Sequence, residues 1–516
     1  MKKSIKIIII ICIALFLIAG GVLGFVLIQK NRADSIPGEY KDIYDAIQKV
    51  QTGDTVFAKE DITCTQKVIF EKSMILDLQG NVFDAKEEVE ISEGATLTIT
   101  NGLVKTDKRI TVRGGLVLGK DSEVVLKKDC VFGVADSNIK IDGGKITSEY
   151  VTIETFGDFE MTSGHAERIS TYAKLSVSGG HIDSLSSAGT GKITGGDFGG
   201  NEITDPLRNY GTLLEIEGTA TSPVTITSKQ MGLYTGKNTK TTLKYTKFFA
   251  QHQDVYAHGA IIAEGLDLQG VCTFGGDSHF KNCNISCHEN SDTAMSNMGS
   301  ELVLENCTVT GKAMGVQNFA GGKVVVKNTN ISAYSWGIIN YASADADGNI
   351  TAGVIEVESG SVTHISNNTH GKVYIKGGTI TNSTGIDIAI YGDSSDATGE
   401  IVISGGNITS SSVGVSAVGG KLVISGGSVS GETAGVWTTG ADMQISGGAI
   451  DGSQAVAIWQ ESDISLSGGV YNGGIHIYVA GKTLNDLLAI GYRYQTTEYV
   501  DFNSNNTNAD ISVVAQ

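Results

Sequence analysis

Ile401-Val-Ile-Ser-Gly-Gly406 is followed by Leu422-Val-Ile-Ser-Gly-Gly427, Met443-Gln-Ile-Ser-Gly-Gly448 and Ile464-Ser-Leu-Ser-Gly-Gly469, each 21 residues after the last. A fixed period of this size marks a solenoid, in which one coil cannot bury its apolar face alone. Within the unit, Leu422 and Ile424 point one way while Val423 and Ser425 point the other, the alternation of a strand. The Gly-Gly pair gives the backbone freedom for a sharp bend. A second short strand follows, marked by Val415, Val436 and Val456. Nothing between the motifs has a helical period. Coils of this length built from two or three short strands predict a parallel β-helix.

Composition agrees. The 516 residues contain 67 Gly and 3 Pro. Tight turns between paired strands use glycine, whereas proline removes a ladder donor. The three prolines, Pro37, Pro206 and Pro223, lie outside the repeats. The net charge is −18, although residues 1–32 carry five basic residues and no acid. So acidic a body excludes nucleic acid as the expected partner.

Before the repeats, residues 7–28 form an uncharged apolar run of 22 residues. That is long enough to span a bilayer and longer than the apolar core of a cleaved signal. Lysines 2, 3 and 6 precede it, which orients the N-terminus to the cytoplasm and the body outside. The expectation is one transmembrane helix, with a cleaved signal and a secreted body as the alternative. Over Tyr40–Gln51, Ile43, Tyr44, Ile47 and Val50 recur at helical spacing, as a helix capping the open end of the solenoid would require. At the other end Thr483-Leu-Asn-Asp486 reads as a capping box with Asp in the usual Glu position, opening a second cap.

A helix, then Gly53-Asp-Thr-Val56, then Met74-Ile-Leu-Asp-Leu-Gln-Gly-Asn81 resembles the entry of right-handed parallel β-helix proteins of the pectate-lyase-like superfamily. The resemblance covers about residues 40–480 and implies the fold. The expected organisation is all-β. Residues 1–31 are the membrane anchor or signal peptide, 32–52 the tether and capping helix, 53–480 the β-helix, and 481–516 the C-terminal cap and tail. Early coils turn at Asn101, Gly143, Gly164, Gly180 and Gly196. Later ones turn at Asn282, Asn306 and Asn328, where asparagine takes the left-handed bend.

Signs of chemistry are sparse. Hydrolases of the superfamily use Asn-Thr-Asp, Asp-Asp and Arg-Ile-Lys motifs, all absent here. Glycosidases need two facing carboxylates, and no such pair stands out. Arg109 with Arg113, and His252 with Asp254 and His258, are the only polar groupings that suggest a lyase site. No catalytic residue is assigned. Cys283 and Cys307 each follow a bend asparagine, so they stack on neighbouring coils as buried thiols or a disulfide. Zinc on His279, Cys283, Cys287 and His288 is disfavoured, because Cys283 and Cys287 on one strand lie roughly 13 Å apart. Two insertions, Ser343–Asn349 and Asp393–Asp396, fall at the same offset from the bend and are rich in oxygen ligands. Calcium is therefore the one cofactor worth weighing, and none is assigned.

Aligning coils on the bend stacks Phe319, Tyr341, Tyr391 and Trp459 in one column, with Trp437 beside it. Either the rings pack on each other at a corner, or they form a platform for sugars. The reading of function is a membrane-anchored extracellular β-helix that binds polysaccharide or another glycan without catalysis. The alternatives are a polysaccharide lyase or hydrolase, and a structural spacer at the cell surface.

Overall fold

The computed structural model describes residues 42–128, 130–148, 152–344, 350–368, 370–394 and 398–516. They form parallel β-solenoids of the right-handed type, in two units, one ending at Lys174 and one spanning Leu175–Gln516. The Ser-Gly-Gly repeats stack as their period requires. Ile401 pairs with Leu422, Leu422 with Met443, and Met443 with Ile464. Leu422, Ile424, Met443 and Ile445 are fully buried. Gly406, Gly427, Gly448 and Gly469 all have φ between +80° and +99°. A Cβ on Gly427 would lie 2.7 Å from the Gly406 carbonyl oxygen. Asn282, Asn306 and Asn328 adopt φ of 54°, 54° and 46°, so asparagine does replace glycine at these bends.

In the first unit the helix Ile43–Lys49 is shorter than the pattern over Tyr40–Gln51 implies. Asp42 caps it by accepting from the Asp45 N–H at 2.9 Å, and Ile43 and Ala46 are buried. The Lys72 ammonium donates to the Val50 carbonyl just past the helix end. Orphan carbonyls at a helix C-terminus favour such a cation. Three ladders then build the coils, beginning at Asp54–Phe57, Ile62–Cys64 and Val68–Phe70. The turns expected at Gly143 and Gly164 lie inside the long strands Asn138–Ser148 and Asp158–Thr171, where the register shifts past Ile141.

In the second unit each regular coil has three strands, for example Thr293–Met298, Glu301–Glu305 and Thr308–Thr310. The C-terminal end is closed as expected, but by a single 3-10 turn, Leu484–Leu487. The N–H and hydroxyl of Thr483 both donate to Asp486, at 2.7 and 2.8 Å. The strand Ile511–Ala515 runs antiparallel against Val470 and Tyr471 and covers the last strand edge.

One expectation is corrected. The helices described, Ile43–Lys49 and Leu484–Leu487, are 7 and 4 residues long. Among the described residues, no helix is long and apolar enough to cross a membrane. The segment read as a transmembrane helix, residues 7–28, lies outside the described residues, as do the tether and Asp345, Asp347 and Asp396 of the insertions.

Candidate functional site

The three faces of the second unit differ in chemistry. The face that includes Lys240–Lys244, Ala260–Glu264 and Ser278–Lys281 carries ion pairs between rungs. Lys244 meets Glu264 at 2.8 Å, and Glu305 takes Lys281 at 2.9 Å and His279 at 3.0 Å. A second face, through Thr308–Thr310 and Asn407–Ser410, shows short hydroxyl and amide side chains. These bond one another, as Ser361 does Asn330 at 2.8 Å and Ser428 does Asn407 at 2.6 Å. On both faces these polar groups bond across the rungs. The third face, through Met314–Phe319, Trp336–Asn340 and Ile388–Ser394, carries the aromatics.

The pairing register resolves two outward columns on that third face. One runs Gln317, Ile339, Ser366, Tyr391, Ser416, Trp437 and Ala457. The other, two residues further along each strand, pairs Met298 with Phe319 and runs Asn368, Asp393, Val418 and Thr439, with Tyr341 and Trp459 one residue past the paired ends of their strands. The single column expected from the sequence is therefore two, with Tyr391 and Trp437 in the first and Phe319, Tyr341 and Trp459 in the second.

The rings fall into separate groups. Phe319 and Tyr341 stack with centroids 4.8 Å apart and planes 9° from parallel. Trp437 stacks on Trp459 at 5.0 Å, and Trp459 on Tyr478 at 4.0 Å. Tyr478 was not singled out in the sequence, nor was a group N-terminal to these. In that group Tyr210, Tyr234, Tyr256 and Phe274 follow on successive rungs with centroids 4.7–6.0 Å apart, and His258 lies 4.9 Å from Phe274. Stacked rings cover each other's faces. Tyr391 instead has Ser366 on one side of it in its column and Ser416 on the other.

Between Tyr341 and Tyr391 the wall drops to Ser366 and Asn368, which opens a groove of about 500 Å³. Trp336, Ile339, His364, Ile386 and Ile388 complete its lining, and among the described residues His364 is its one acid–base side chain besides the tyrosines. Burial holds His364 below the ordinary histidine range, against a hydrogen bond to the Ile388 carbonyl oxygen. The imidazole is thus neutral near pH 7 and donates from Nδ1. Burial raises the hydroxyls of Tyr341 and Tyr391, helped for Tyr391 by the Asp393 carboxylate, 3.5 Å away. Ile388 and Trp437 pack on Val413, Ala434 and Ala457, so an apolar strip continues from the groove towards the tryptophans.

Beneath this face runs a buried ladder of amides. Asn297 donates to Asn318 at 2.9 Å, Asn318 to Asn340 at 2.8 Å, and Asn340 to Asn367 at 2.9 Å. All four are at most 2% exposed. Each precedes a second-column residue, namely Met298, Phe319, Tyr341 and Asn368, so the ladder fixes the backbone that presents the rings.

The groupings weighed for catalysis do not converge. The Asp254 side chain is buried and accepts from the Gln269 N–H at 2.5 Å. Burial pushes its carboxyl up to about 7. It lines a second groove of about 570 Å³ with Phe249, Asp267 and Asn284, but Asp267 is bound to Asn284 at 2.7 Å. His258 faces outward in the aromatic group, and His252 approaches His288 instead. Arg109 lies over the Phe132 ring, while Arg113 pairs with Glu90 at 2.8 Å. Cys283 and Cys307 stack as expected and are free thiols, with the Cys283 N–H 3.5 Å from the Cys307 sulfur.

Comparison of the chain with family models, with curated proteins and with solved structures gives no match. What is shown is the parallel β-solenoid, and a fold does not set an activity.

Proposed function

We propose that the protein binds carbohydrate outside the cell, without turnover, through the groove between Tyr341 and Tyr391. One observation carries this reading. Two aromatic side chains border a rung that bears Ser366 and Asn368, and the Tyr391 ring, unlike its neighbours, has only serines beside it in its column. Sugars present an apolar face to a ring and hydroxyls to short polar side chains. A mainly apolar concavity with a few convergent polar groups is the usual form of a small-ligand site. Asp254 and Asp267 line the second groove together, but Asp254 is held by the Gln269 N–H and Asp267 by the Asn284 amide, so the reading rests on the aromatic groove and the product assay decides on turnover.

The test is a glycan array probed with the full chain, beside an assay for unsaturated or shortened sugar products with and without calcium. Binding without products, lost in Tyr391→Ala, is the expected result. Product formation overturns the non-catalytic reading, and a blank array overturns carbohydrate binding.

A further inference from the structure

Resting on that reading, we infer that the groove takes an uncharged N-acetylated hexosamine unit, and not the uronic acid units of an anionic polymer. Two features of its lining carry this. The first is charge. Among the described residues no lysine or arginine lines the groove, and burial lowers His364 towards its neutral form. The Asp393 carboxylate lies against the Tyr391 hydroxyl, 3.5 Å away, in a chain of net charge −18. A carboxylate or sulfate entering here would meet no counter-charge and one like charge.

The second feature is the excess of hydrocarbon. A plain hexose offers one modest apolar face, which one tyrosine satisfies. Here Trp336, Ile339, Ile386 and Ile388 add further apolar wall around the tyrosines. That surface fits a substituent carrying its own methyl group. The polar groups opposite are a hydroxyl and a primary amide, Ser366 and Asn368, 3.2 Å apart, with Ser366 donating to Asn368 Oδ1. The Asn368 amide N–H and a rotated Ser366 hydroxyl are the donor and acceptor that a secondary amide needs. An acetamido group thus places its methyl on the isoleucines and its N–H and C=O at the serine–asparagine pair.

The experiment is titration calorimetry of the full chain with four probes. These are tetramers of N-acetylglucosamine, glucosamine, glucose and galacturonate. Burying one methyl and making one hydrogen bond predicts about twentyfold tighter binding of the N-acetylated tetramer than of the glucose tetramer. Ile386→Ser, at a half-buried bridge position on the groove wall, is expected to shrink that ratio to about fivefold. Tyr391→Ala weakens both neutral sugars by about three- to tenfold. Equal binding of the acetylated and plain tetramers, or preference for galacturonate or glucosamine, overturns the inference and leaves carbohydrate binding standing. Failure of all four tetramers on a chain that binds other array sugars does the same. A blank array removes both readings.

Discussion

Replacing Asn340 by alanine tests whether the buried amide ladder holds the aromatic face in place. Asn340 is fully buried and makes three ladder contacts. It accepts from Asn318 at 2.8 Å and donates to Asn367 at 2.9 Å and to the Gly353 carbonyl at 3.0 Å. The Gly353 carbonyl keeps a partner in Asn340→Ala, because the Lys372 N–H also reaches it. Asn318 loses the near acceptor of one N–H and is left with the Val354 carbonyl at 3.4 Å, while Asn367 Oδ1 loses its donor. One orphaned and one weakened buried group, at about 1–3 kcal/mol for a full loss, predict a loss of about 2–3 kcal/mol, with the lower end favoured if a water enters. Urea unfolding followed by near-UV circular dichroism reads the change, and hydrogen exchange of amides 338–341 and 365–368 locates it. Because the lost Asn340–Asn367 bond is shared, Asn367→Ala should cost at least 1 kcal/mol less, roughly, in the Asn340→Ala background than alone. Since Tyr341 follows Asn340 directly, sugar affinity should fall with stability. A loss below about 0.5 kcal/mol, or strict additivity of the two substitutions, would refute the ladder as the support of this face.

Two further outcomes concern pH and the bends. Burial raises the Asp254 carboxyl to about 7, above its unfolded value, so the folded chain holds this proton where the unfolded chain does not. Its contribution to stability is therefore full below about pH 4, its unfolded range, and is lost as pH rises through 7. Asp254→Asn should flatten that limb in urea titrations between pH 5 and 8, and an unchanged limb counts against it. His364 acts in the opposite sense. Its lowered folded value means that stability falls as pH drops below its unfolded range of about 6.5, a limb that His364→Gln should remove. Gly427→Ala puts a side chain at φ +80° with its Cβ 2.7 Å from the Gly406 oxygen, and should cost about 1–3 kcal/mol by the same urea assay. The same change at Gly200, where a Cβ meets only Ile203 at 3.9 Å and φ is not positive, should cost less.

What could be read in advance, and what could not, follows from how the coils vary. Where bend and strand recur at a constant distance, as from Ile401 to Gly469, the period alone places Leu422 over Ile401 and Met443 over Leu422. The aromatic columns begin a full strand or more away from that bend, and coil length changes in between. Residues 382–387 lengthen the chain between the bend at Gly378 and Tyr391, so counting from the bend drifts by two residues there and merges two columns. Strand alternation cannot reveal the error, because a slip of two returns each side chain to the same face. The group from Tyr210 to Phe274 went unseen for a related reason. Its coils lack the Ser-Gly-Gly bend, leaving no fixed point from which to align Tyr234 with Tyr256. Asn297, Asn318, Asn340 and Asn367 were hidden by composition, since asparagine reads as an exposed turn residue until its neighbours in the stack are known to be asparagine too. A buried amide is tolerable only when the rungs above and below supply the partners. Its place inside the coil is thus a property of the stack, which no single repeat contains. The same holds for the groove. Ser366 and Asn368 are unremarkable strand residues, and they become the floor of a site only because the rungs on either side carry Tyr341 and Tyr391.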